Sequence, residues 1–185
     1  IFIQMIDLGD AEDNQATQIT KLSNTQNKID GKDFVSLDPE QDRLRMELSL
    51  AGFQYLYKAG ARLDDLEHQI SLDEAIISQA CALSDLSIVA LAKRNVGALT
   101  ENIDKVPYKL LFNGGTNSFS LHNGVQVLRA VDHCIKQNEC SSSGRKRLVL
   151  VHGNRFLLYL ILEKIKVIDG FDTQYLTKDN VSNMV

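Results

Sequence analysis

At 185 residues the chain is long enough for one domain with a proper hydrophobic core, or for a domain with an appendage. Its 20 basic and 24 acidic side chains leave a net charge of −4, which excludes a whole-domain pull toward nucleic acid and confines any polyanion contact to a local patch. Three cysteines, Cys81, Cys134 and Cys140, form an odd set without a repeated short spacing; that argues against a disulfide framework and for reduced thiols in the cytoplasm.

In chain order, Ile1 to Ile6 is apolar on both faces and reads as a buried strand, without the charged lead of a signal peptide. Asp10 can cap a helix from Ala11 to Ser23, with Ala16, Ile19 and Leu22 inward. The run Asn24-Thr25-Gln26-Asn27 then opens a polar hinge to Phe34, because amides and hydroxyls compete with the helix backbone and suit a turn. Asp38-Pro39-Glu40-Gln41 is a helix start: a cap, proline at the first position, and Gln41 placed to reach back. Leu37, Leu44, Leu48 and Ala51 recur at helical spacing and Gly52 ends the helix. Phe53 to Tyr57 reads as extended.

Ser71 with Glu74 makes a second capping box, for a helix along Leu72, Ile76, Ala80 and Leu83; Ser84 or Asp85 opens another that stops before Gly97. A short helix spans Tyr108 to Phe112 and breaks at Asn113-Gly114-Gly115. Ser120 is expected to cap a longer helix with the stripe Leu121, Val125, Leu128, Val131 and Ile135. After the loop Gln137 to Gly144, Arg145 to Lys166 reads as the longest helix, buried on most sides. The apolar run Phe156 to Leu162 falls far short of the roughly 20 residues a bilayer span needs, so no membrane partner is expected. The expected fold class is mainly α with one or two β-strands, the C-terminal part of an α+β protein. Residues 1–60 would complete an upstream α+β domain, 61–168 form a helical domain, and 169–185 a polar C-terminal tail.

The run Ile19 to Ile29, then Asp33-Phe34, Leu37-Asp38-Pro39-Glu40-Gln41 and Tyr55-x-Tyr57-Lys58-x-Gly60, resembles the later part of the AIPR family, the abortive infection phage resistance proteins. The likeness continues to about residue 112 through Glu74-Ala75, Ala80, Ala92-Lys93-Arg94 and Leu111-Phe112. Two further family elements, Asn-Asn-Gly-Ile-Thr and Val-Asn-Gly-x-Gln-Thr, belong upstream, and the chain starts at Ile1 without an initiator Met; the expectation is a C-terminal portion that works with the upstream part of the same protein. The resemblance implies a role in bacterial antiviral defence, through recognition or processing of DNA or RNA by the full-length protein. The family's strand, Asn-containing turn and helix are similar to ParB-like folds, which handle nucleotides or DNA.

Two places are candidates for ligand or nucleic-acid contact. Asn24, Thr25, Gln26 and Asn27 carry donors and acceptors that can read a base or simply pin the turn. Arg145, Lys146 and Arg147 set three cations at the positive end of a helix dipole, a place that favours an anion between them, and His152 and Arg155 extend that face; the bland alternative is a solvated loop end. No metal is expected, since His133-Cys134 with Cys140 lacks a fourth ligand and Cys134, beside Val131 and Ile135, reads as a buried thiol. His68 and His122 are expected in loops without a nucleophile, and Asp64, Asp65 and Glu67 assemble no nuclease-like set. Asn113-Gly114-Gly115 lacks the lysine of a phosphate loop, so no cofactor is implied and no self-contained active site emerges; catalytic residues stay unassigned. The rival function is a helical protein-protein interaction module, with a homo-oligomer as one form of it.

Overall fold

The computed structural model describes residues 34–58, 63–168 and 170–185. The strand expected at Ile1 to Ile6, the helix after Asp10 and the hinge amides Asn24 to Asn27 lie outside the described residues. The remainder is mostly helical with one small sheet, in line with the expected class.

Helix α1 (Pro39–Leu50) starts as its sequence dictates, with the Asp38 carboxylate accepting from the Glu40 N–H at 3.2 Å and Pro39 in the first turn. Gln41 does not reach back to the cap; its amide turns inward. Gly52, at φ 87°, takes the left-handed conformation that ends the helix. The chain then forms β1 (Gln54–Leu56), which pairs in parallel with β2 (Gln69–Ser71), Tyr55 opposite Ile70. From β2 it passes directly into α2 (Leu72–Ala82) through the Ser71–Glu74 capping box, with both reciprocal hydrogen bonds formed.

Helix α3 (Leu86–Arg94), capped by Asp85, leads through a 3-10 turn (Val96–Leu99) to α4 (Tyr108–Leu111). Helix α5 (Ser118–Glu139) is the longest among the described residues and their spine. Its cap is Asn117, whose side chain accepts from the Ser120 N–H at 2.7 Å; the expected cap, Ser120, sits inside the first turn. Leu121 and Val125 of α5 join a core with Leu44, Leu48, Ile76 and Tyr108. Leu128 and Val131 join a second with Cys81, Leu158, Leu162 and Ile165. One helix thus supplies a face to each core, which is how α1–α4 become continuous with the C-terminal helices.

The single long helix expected from Arg145 to Lys166 is two helices, α6 (Gly144–His152) and α7 (Asn154–Ile165). They part at Gly153, where a Cβ would stand 2.6 Å from the Val149 carbonyl oxygen. Lys93 holds the break, its ammonium donating to the Val151 carbonyl at 3.2 Å and the Asn154 side chain at 2.8 Å. Burial is restricted to α7; α6 has no buried residue. The polar C-terminal segment carries α8 (Lys178–Ser182) and places Phe171, Leu176 and Val181 in the second core. Among the described residues no helix is long and apolar enough to cross a membrane.

Candidate functional site

The stretch around Asp38 and Gln41 builds a buried polar relay. Tyr55 Oη donates to Gln41 Oε1 at 2.6 Å, Gln41 Nε2 donates to Tyr108 Oη at 2.9 Å, and Tyr108 Oη donates to Asp38 Oδ2 at 2.6 Å. Gln41 and Tyr108 are completely buried, so each link satisfies a group that would otherwise be costly to bring out of water. Burial, reinforced by the Asp38 carboxylate, drives the Tyr108 phenol far above its ordinary range and keeps it a donor. Next to it, Tyr57 donates to Asp42 at 2.7 Å and holds that carboxyl below its ordinary value. These tyrosines and amides hold α1, β1 and α4 together.

Two side chains of α5 tie the rest of the molecule to that unit. Arg129 forms a fork on Glu74, Nε to Oε1 at 2.7 Å and Nη2 to Oε2 at 2.9 Å, and also donates to the backbone carbonyls of Gln69 and Leu66. Burial pushes the Glu74 carboxyl up, but the Arg129 guanidinium and the Ser71 N–H outweigh it and leave the value below the ordinary one. Asn123 latches the C-terminal segment: its Nδ2 donates to the carbonyls of Phe171 and Gln174, both at 2.8 Å, and its Oδ1 accepts from the Leu176 N–H at 2.8 Å. Its neighbour His122 is not in a loop but buried on α5, 3.0 Å from the same Asn123 oxygen and packed against Phe53 and Tyr175. Burial lowers its imidazole below the ordinary value, and the Asn123 bond offsets only part of that.

A groove of about 1190 Å³ runs along α5, with His122, Gln126, Arg129, His133 and Lys136 in its lining. The ion pairs Arg129–Glu74 and Arg155–Asp132, the latter at 3.5 Å, also line it, so charges of both signs cancel there. On its rim, His68 bonds Asp65 at 2.9 Å, but the same carboxylate accepts from the backbone N–H groups of Glu67 and His68 and thereby shapes a surface turn. Among the described residues no group of three or more His, Cys, Asp or Glu side chains is placed to hold a metal ion. Cys134 is exposed, contrary to its expected burial, because the last turns of α5 run out past the core; the buried thiol is Cys81, pushed up to about 12 by its surroundings.

The cationic face is on α6. Arg145, Lys146, Arg147 and His152 are all exposed. Arg147 reaches Glu139 at 3.3 Å, while the helix start has no side-chain cap and no acidic residue in its first turn. Arg155 does not extend this face: it begins α7, beyond Gly153, and is half-buried against Asp132. Three positive side chains therefore surround the positive end of a helix dipole, facing outward.

A mostly helical protein results, with Gln41, Tyr108, Asn123 and Arg129 committed to holding the fold and an outward cationic helix start at one side. The sequence profile of the AIPR protein family matches residues 1–115, which takes in the relay and ends just before α5. The chain belongs to the AIPR family, a family of abortive infection and phage resistance. No curated protein and no solved structure matches it.

Proposed function

We propose that the chain supports nucleic-acid recognition within an abortive-infection response, with the first turn of α6 as the contact surface. The observation that carries this reading is the exposure of Arg145, Lys146 and Arg147 around uncapped helix N–H groups with no acidic residue in the first turn. Phosphate oxygens answer both features at once: they accept from the N–H groups and neutralise the cations. The amide run Asn24 to Asn27, outside the described residues, is assigned a second contact on its chemistry alone. The reading places the protein in the cytoplasm, where free thiols such as Cys81, Cys134 and Cys140 stay reduced. A fluorescently labelled oligonucleotide titrated with the full chain should bind, and the triple variant R145A/K146A/R147A should lose most of that affinity without a change in melting temperature. Equal binding by both proteins would remove α6 from the interface.

A second reading, a helical module that docks another protein, draws on Phe156 and Leu160, exposed four residues apart on α7. In that case α7 variants, not α6 ones, would change the mass of an assembly in sedimentation.

A further inference from the structure

The cations do not occupy the outward face of α6 alone. At helical spacing Arg145, Leu148, Val149 and His152 share one face, and all four are exposed, Leu148 by 58% and Val149 by 55%. The two remaining apolar residues, Leu150 and Val151, are only half-buried on the other side. A nine-residue helix with no buried side chain and cations against its dipole has little to stabilise it by itself, since isolated helices shorter than roughly 12–15 residues are marginal in water. Its outward face is built for a partner that is both anionic and apolar.

Resting on the nucleic-acid reading above, we infer that α6 binds single-stranded rather than duplex nucleic acid, phosphates on the Arg145–Arg147 end and unstacked bases over Leu148, Val149 and His152. In a duplex the base faces are stacked away, and a helix reads the grooves with polar groups that bond base edges. Between Arg145 and His152, about 10 Å apart along the axis, this face offers only aliphatic carbon. A single strand presents the surface a duplex hides, because every base has an apolar face and a phosphate beside it, and imidazole and phenyl rings add stacking.

Other occupants fit less well. Two copies pairing antiparallel through this face would set Arg145 of one beside His152 of the other, with no acid between them. For an anionic bilayer, affinity grows with apolar area, and one leucine and one valine give little of it.

Fluorescence anisotropy on the full chain discriminates these cases, using an oligothymidylate of about 20 nucleotides, ample for one contact face, its duplex with oligoadenylate, and vesicles of phosphatidylserine. The inference expects tighter binding of the single strand, and a loss of roughly fivefold to tenfold for it in L148A/V149A, with less than about a twofold change for the duplex. Both positions are exposed, so circular dichroism should show an unchanged fold. Equal affinity for strand and duplex, with L148A/V149A silent, overturns the single-strand inference and leaves the nucleic-acid reading standing. Binding of neither nucleic acid overturns both. Vesicle binding that depends on Leu148 and Val149, without strand binding, assigns the face to a bilayer instead.

Discussion

Removing one oxygen from the buried relay should cost far more than its size suggests. In Tyr108→Phe, Asp38 Oδ2 loses a donor at 2.6 Å and Gln41 Nε2 loses its acceptor at 2.9 Å. A hydrogen bond to a charged group contributes about 1.5–3 kcal/mol, and a buried amide left unpaired costs about 1–3 kcal/mol more. Allowing for relaxation, Tyr108→Phe should destabilise by about 3 kcal/mol, whereas Tyr55→Phe, at the end of the chain of bonds, should cost about 1 kcal/mol. Urea unfolding followed by circular dichroism gives both values from the midpoint and slope. The relay also predicts coupling: Q41L/Y108F removes the orphaned amide, so the double variant should be at least about 1 kcal/mol less destabilised than the two single changes added together. A Tyr108→Phe cost under about 1 kcal/mol, with additive doubles, would refute the relay as a stabilising unit.

Arg129→Ala strips the partner from a largely buried Glu74, both side chains under one-fifth exposed, and should cost about 2–4 kcal/mol by the same unfolding assay; Arg129→Lys should recover only part, lacking the fork. His122 sets a pH dependence. Its folded value lies below the ordinary 6.5, so the unfolded chain takes the proton first; stability is full above 6.5 and declines as pH falls through the lower folded value. Thermal melts between pH 8 and pH 5 should show that decline, and His122→Phe, which keeps the ring packing, should flatten it; parallel pH profiles would contradict the assignment.

Local rules make much of the fold legible. The Asp38 cap, the Ser71–Glu74 box, the Asp85 start of α3 and the stop at Gly52 each depend on residues within a turn of one another, and all appear where the sequence implies them. The stripe Leu121, Val125, Leu128 and Val131 is equally readable, because α5 packs against cores along that line. What escapes is long-range. Gln41 looks like a capping residue until Tyr108, distant in sequence, offers it a better partner. Arg129 and Asn123 carry no motif; their roles exist only once α5 lies beside β2 and the C-terminal segment. The three-residue strand β2 is too short for alternation to register. At Gly153 an apolar run conceals a break, since glycine is tolerated inside helices and only the close approach of Val149 shows that nothing larger fits. The cationic turn is visible as composition; its separation from Arg155, which turns to Asp132, is not.

The most direct test of the α6 surface is the salt dependence of oligothymidylate binding by the full chain. Three phosphate contacts, from Arg145, Lys146 and Arg147, predict a slope of log affinity against log salt of about −2, and a slope shallower by about that amount in R145A/K146A/R147A. A slope that is flat, or that stays the same in the triple variant, would contradict the account.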